Sequence, residues 1–180
     1  MSWTKAIAFV FHWEGGYVND PLDRGGATNM GITQGTLCAA YTAKIVSHND
    51  IRRLTKTEAA TIYQAKYWNP YQWNQYGEPA DMILFDISVN NGLGNMAKLA
   101  QRACVSLGQN IVIDGKWGSK TRAALYTLAW SKGAALSKML LTKRLNFYDA
   151  IVASRPSQQK YLGGWRNRTN DLARKCGIRL

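Results

Sequence analysis

Histidine and cysteine are scarce in this chain: His12 and His48, with Cys38, Cys104 and Cys176, are all that occur in 180 residues. The cysteines are far apart, odd in number and without a Cys-x-x-Cys pair, which argues against a disulfide framework and against a structural zinc site. They read as small buried hydrophobes. With so few imidazoles and thiols, a Ser/His or Cys/His nucleophile has little to be built from. No metal or other cofactor is expected. A run of about 18 apolar residues is also missing, so no transmembrane helix is expected. The N-terminus has one Lys and a short apolar patch, residues 6–13, leading into Glu14 without a small-residue cleavage site. The expectation is a chain made in the cytoplasm without a signal peptide, acting at the cell wall after release.

Acidic residues are few as well, 11 against 23 Lys and Arg, for a net charge of +12. The imbalance is local. Residues 116–180 hold 14 of the basic residues and only Asp149 and Asp171 on the acidic side, whereas residues 1–115 are balanced. Such asymmetry points to an anionic partner. Nucleic acid, an anionic membrane surface and cell-wall polymer share that charge, but the basic segment contains no nucleic-acid recognition motif. A hydrophobic fraction of 46% and seven Trp indicate a folded globule rather than a disordered chain.

What is present concentrates in residues 14–33, which carry Glu14, Asp20 and Asp23, five glycines and several small polar residues. An apolar helical stripe, Trp3, Ile7, Val10 and Phe11, comes just before, and at about 100° per residue Glu14 falls in its middle. A carboxyl on an apolar face is the anomaly, because burial favours the protonated form that a general acid needs. Glycoside cleavage requires such an acid and a second group that handles water or the developing positive charge. Glu14 is the acid candidate. Asp20 and Asp23 are both open for the second role, and Thr28 is placed to orient a water through its hydroxyl. Aspartates beside Pro or Gly also simply shape turns. Tyr17, Asp20, Trp73 and the Asn90–Asn91 pair are the candidate substrate contacts, since aromatic rings and amides bind sugars by stacking and hydrogen bonding.

The pattern predicts a mainly α fold. Helices are expected over residues 2–14, 34–43 with Thr33 as cap, 55–67 opened by the capping box Thr55-x-x-Glu58, 80–90, 95–107, 119–130, 134–154 and 165–175. Pro70 and Pro156 act as stops and Gly133 as a break, with at most a small β-hairpin near residues 17–33. The helix over 80–90 is apolar nearly all round, with Asp86 and Asn90 one turn apart. Residues 71–76 read as an aromatic and amide-rich surface loop.

The run Glu14-Gly15-Gly16-Tyr17, followed by Asp23-x-Gly25-Gly26-x-Thr28-x-x-Gly31-Ile32-Thr33, resembles the opening motif of glycoside hydrolase family 108, lysozyme-like N-acetylmuramidases of phage and bacterial origin. Ile62-Tyr63-x-x-x-Tyr67-Trp68 and Phe85-Asp86-x-x-x-Asn90-x-Gly92 continue the similarity. From about residue 95, Gln101-Arg102, Asp114-Gly115-x-x-Gly118-x-x-Thr121 and Gly164-Trp165-x-Asn167-Arg168 resemble the peptidoglycan-binding module that accompanies that domain. The resemblance implies a lysozyme-like bilobed helical fold, a catalytic region over residues 1–93 and a helical peptidoglycan-binding region over 94–180. It implies that Glu14 is the essential acid. Phage-type lysozymes more widely place an Asp and then a Thr after their Glu, at distances similar to Asp23 and Thr28. Arg24 departs from the family, which more often has Pro after this Asp. Asp114–Gly118 reads as a structural turn, and Arg102, Arg144, Trp165 and Arg168 as core or scaffold.

The implied activity is endolysin-like hydrolysis of the β-1,4 bond between N-acetylmuramic acid and N-acetylglucosamine. A lytic transglycosylase and a non-catalytic wall-binding or secretion-assisting protein are the alternatives. Peptidoglycan strands are the expected substrate, with anionic wall polymer held by the basic last third of a monomer. Inversion and retention differ in carboxyl separation, about 6.5–9.5 Å against about 5–5.5 Å.

Overall fold

A computed structural model describes residues 2–19 and 26–180. The chain is mainly helical, as predicted, with one short antiparallel strand pair among the described residues. It divides into two compact units, essentially residues 3–72 and 73–180. No described helix is both long and apolar enough to cross a membrane.

In the first unit, α1 (Ser2–Trp13) buries Ala6, Ile7, Phe9 and Val10. A hairpin follows, β1 (Thr28–Asn29) and β2 (Ile32–Thr33), paired Thr28 with Thr33 and Asn29 with Ile32. Thr33 then caps α2 (Gln34–Thr42), its side chain accepting from the Thr36 amide. α3 (Lys56–Tyr63) opens with the complete capping box: the Glu58 amide donates to Thr55, and the Thr55 amide donates to the Glu58 carboxylate at 3.0 Å. The hydroxyl of Thr55, the first cause, holds the Glu58 carboxyl below its ordinary range. Thr55→Ala removes one cap acceptor and is expected to cost about 1 kcal/mol, read as a fall in melting temperature of about 2–4 °C. No fall would show that α3 is held by packing alone.

The α3 helix does not continue to Tyr67 as expected. Residues Gln64–Trp68 form a π-helix and Asn69–Tyr71 a 3-10 turn, with Gln72 left-handed at φ 51°. Pro70, which supplies no amide, stands in the first turn of that 3-10 segment, seven residues past the end of α3.

The second unit begins with a 3-10 turn, Trp73–Tyr76, and α4 (Ala80–Asn91), buried from Ala80 to Ser88. α5 (Leu93–Ser106) and α6 (Ser119–Ser154) pack against α4 and on each other, and α7 (Gln159–Lys175) packs on α6. The two helices expected on either side of Gly133 are both present: α6 is two helices that meet at a kink at Lys132, where φ is −142° and ψ 36°, outside the helical range, in a Ser-x-Gly stretch. α7 starts six residues before the expected position, since Gly163 and Gly164 are accommodated inside it.

The core of this unit contains charge. Asp86 accepts 2.6 and 2.7 Å bonds from Arg144 and Arg168, all three nearly inaccessible to solvent. Arg144 also donates to Tyr148 Oη at 2.8 Å and to Asn90 Oδ1 at 3.0 Å, and Tyr148 stacks on Trp165 at 5.0 Å. Desolvation pushes the Asp86 carboxyl up, but the two guanidiniums outweigh it and hold it below its ordinary range. Arg144 and Arg168 are thus core residues, as expected, whereas Arg102 is exposed on α5. A second polar knot forms the turn after α5. Gln101 Nε2 donates to Asp114 Oδ1, the Lys116 carbonyl and Thr121 Oγ1, while Gln101 Oε1 accepts from the Gly115 amide. Asp114–Gly118 is accordingly a structural turn. Cys104 is buried and its thiol pushed up to about 12 by that burial. Cys38 and Cys176 are only half-buried, against the expectation for all three.

Candidate active site

Glu14 follows α1 directly, its amide donating to the Val10 carbonyl at 2.9 Å, so the helical path carries it one step past the last buried turn. It is half-buried. The Gly15–Gly16 pair then turns the chain, and the Gly15 carbonyl accepts from the Met30 amide at 3.0 Å. That bond ties the tip of the β1–β2 hairpin to the end of α1.

The tip is a two-residue turn, Met30 and Gly31, at φ 50° and 75°. Positive φ at both positions is the mirror-image turn whose twist matches paired strands. The Tyr63 hydroxyl, from the end of α3, donates to the Met30 carbonyl at 3.1 Å. Three elements therefore meet at one point. A Cβ on Gly31 would stand 2.8 Å from Glu14 Oε2 and 2.9 Å from Glu14 Cδ, and closer still to Tyr63 Oη. The Glu14 carboxyl lies against a bare backbone position, with the Tyr63 phenol beside it.

Gly31 is thus fixed twice, by conformation and by space. Gly31→Ala is expected to displace the Glu14 carboxyl or open the tip, lowering activity by about tenfold or more at a stability cost of about 1–3 kcal/mol. Unchanged wall-clearing rate and melting temperature would refute the contact. Neither Gly31 nor Tyr63 was nominated from sequence, although both stand in the motif segments. The signal that would have found them is the Asn-x-Gly turn between two short β-prone pairs, which predicts a tight hairpin beneath Glu14.

Thr28 lies on the hairpin, bonded through its backbone to Val18 by two 2.8 Å bonds. It is half-buried on the face shared with Thr33, while Asn29 and Ile32 turn to the core. Its hydroxyl has no hydrogen bond among the described residues, which leaves it able to hold a water or a sugar hydroxyl. Tyr17 is 40% exposed, and its hydroxyl accepts from Arg52 Nε at 3.3 Å, with the guanidinium 5.7 Å from the ring centroid. Asp20 and Asp23 lie outside the described residues. What is described are the paired flanks of their segment, Val18 and Thr28.

The other predicted substrate contacts belong to the second unit. Trp73 is fully buried, 5.2 Å from Trp117 and 6.3 Å from Tyr76 by ring centroid. It cannot stack on a sugar, and its assignment as a surface contact is corrected. In a 3-10 turn, side chains three apart eclipse, so Trp73 and Tyr76 roll inward together. Asn90 Oδ1 accepts from Arg144 and Tyr148, and Asn91 bonds Tyr148 Oη at 3.1 Å. Both amides are engaged in holding the buried charge cluster.

The family model for glycosyl hydrolase 108 matches residues 7–92, and that for a predicted peptidoglycan domain matches residues 95–170. Among solved structures, SagA of Brucella abortus is similar with a TM-score of 0.73 and 31% sequence identity, over 97% of this chain and 92% of that one. A search of curated proteins returns no match. With its glycoside hydrolase match ending where its peptidoglycan match begins, and a solved relative spanning both, the chain belongs to the glycosyl hydrolase 108 family and is a peptidoglycan hydrolase.

Proposed function

We propose that the enzyme is an N-acetylmuramidase that hydrolyses the β-1,4 bond from N-acetylmuramic acid to N-acetylglucosamine, with Glu14 as the general acid. The observation that carries this reading is the seating of the Glu14 carboxyl at the hairpin tip, against Gly31 and beside Tyr63. An acid acts only if it is held within hydrogen-bond reach of the leaving oxygen, and a carboxyl at a fixed tip needs no reorganisation to do so.

In the proposed reaction, Glu14 gives its proton to the glycosidic oxygen as the bond to the muramic acid C1 breaks. Water adds its oxygen to C1, and its proton leaves to a base. Thr28 orients the water by its hydroxyl, and Asp23 or Asp20 takes the proton or stabilises the positive charge. Tyr17 offers a ring to a sugar flanking the cleaved bond. The enzyme works on the wall side of the membrane, after release from the cytoplasm.

The test is digestion of purified cell-wall sacculi in ¹⁸O-water, followed by mass spectrometry of the released fragments. Muramic acid reducing ends carrying one ¹⁸O are expected. Anhydro-muramic ends, which contain no added water, would instead make it a lytic transglycosylase. Reducing N-acetylglucosamine ends would place the cut at the other glycosidic bond.

A further inference from the structure

The N-terminal half of α6 has two faces. Thr121, Ala124, Leu125 and Leu128 are buried, and the opposite face is exposed. An exposed face on a basic helix is ordinarily solvated and polar. This one carries Tyr126 at 49% exposure and Trp130 at 68%, with their ring centroids 6.1 Å apart. Arg122 stands one turn before Tyr126, and Arg122, Tyr126 and Trp130 follow at spacings of four. They therefore form a single row about 12 Å long, at about 1.5 Å per residue. Beside the row is a groove of about 320 Å³ lined by Gln75, Ser119, Arg122, Ala123, Tyr126 and Thr127. No ion pair holds Arg122 among the described residues.

We infer that this row and its groove form a glycan-strand binding site in the second unit, separate from the Glu14 site, with peptidoglycan itself as the occupant. Trp130 is the most exposed of the aromatic side chains among the described residues, and two rings in contact make a rigid apolar platform at little entropic cost. The apolar face of a pyranose, with its axial C–H bonds, stacks on such a platform. Gln75, Ser119 and Thr127 supply the amide and hydroxyls that hydrogen-bond ring substituents. Arg122 matches the carboxylates of the stem peptides, or of lactyl groups that carry no peptide, at intervals along the strand, which chitin lacks. The whole row lies inside the segment that matches a predicted peptidoglycan domain.

Peptidoglycan as the polymer is taken from the family, but the bond that is cut plays no part, and the test is arranged accordingly. Full-length protein carrying Glu14→Gln is mixed with insoluble sacculi, and bound protein is measured at several salt concentrations. Adding Tyr126→Ala with Trp130→Ala is expected to weaken binding by about tenfold or more. Arg122→Gln should weaken it less, and should flatten its salt dependence. Val112→Ser, at an exposed apolar position elsewhere in the same unit, is the control. Circular dichroism melts establish that each variant is folded. Titration of wild-type fluorescence with soluble muropeptide oligomers should perturb Trp130, and that change should be absent from Trp130→Phe by difference. Undiminished sacculus binding by the folded double variant would overturn the assignment. So would binding to anionic lipid vesicles, or dimerisation, that the double variant alone loses. Wild-type protein that binds sacculi through the row yet releases no product would refute the proposed hydrolysis and leave the site standing.

Discussion

Glu14→Gln is expected to lower clearing of purified cell walls by about 10²–10⁴-fold, the contribution of a positioned general acid. The amide keeps the shape and the seat against Gly31 but carries no transferable proton. Its fold should be intact, because Glu14 is half-buried and stands after the last buried turn of α1. Turbidity loss and melting temperature together decide the matter. Equal clearing by both proteins would remove Glu14 from the reaction. A large fall in melting temperature alongside lost clearing would show that the carboxyl serves the fold instead. Tyr63→Phe separates position from chemistry further. It keeps the ring that packs 6.2 Å from Phe11 and loses the bond to the Met30 carbonyl. A weaker effect than that of Glu14→Gln is expected, since the hairpin remains tied through Gly15.

The second large effect concerns stability. Asp86→Asn leaves Arg144 and Arg168 charged inside the core with no anion between them. Removing one partner of a buried ion cluster costs about 3–5 kcal/mol, which for a chain of this size lowers the melting temperature by roughly 6–20 °C. The pH dependence follows from the same residue. Its carboxyl titrates lower in the folded protein than in the unfolded chain, so its stabilisation is fully present above the unfolded value of about 3.9. It is lost as pH falls from there through the lower folded value. Wild type should therefore lose stability below about pH 4 more steeply than Asp86→Asn does. Chemical denaturation at pH 7 and pH 3 measures both. Replacing Asp86, Arg144 and Arg168 together by Leu, Met and Leu should cost much less than the single change, because no charge is stranded.

Much of the fold was legible because it is local. Thr33, and Thr55 with Glu58, act through bonds three residues away, and each does in the structure what its type and spacing dictate. The apolar run of α4 announced a central helix, and Asp86, one of its two acids, sits in the charge cluster. What was not legible depends on distant parts of the chain. Met30 occupies a left-handed conformation that its side chain disfavours, and it is held there by the Gly15 carbonyl and the Tyr63 hydroxyl, 15 and 33 residues away. Trp73 was read as surface from its amide-rich neighbours, although the phase of a 3-10 turn decides which way it points. At the proposed site, Glu14 stands out in the sequence by its place on the stripe. The Asn-x-Gly turn signals a tight hairpin at Gly31, but not the space there that Glu14 and Tyr63 fill.

The π-helix at Gln64–Trp68 bears on how this chain tolerates changes of length. A π turn holds one residue more than an α turn, and deleting one of Gln64, Ala65 or Lys66 would restore ordinary pitch without breaking the helix. Because the wider turn absorbs the extra residue, the deletion would leave later side chains close to their present phase relative to α3. Trp68, now edge-on to Trp3 at 5.3 Å, would stay by its partner while Tyr63 kept its grip on the hairpin. The π turn lets one more residue stand between two aromatic anchors without moving either out of phase.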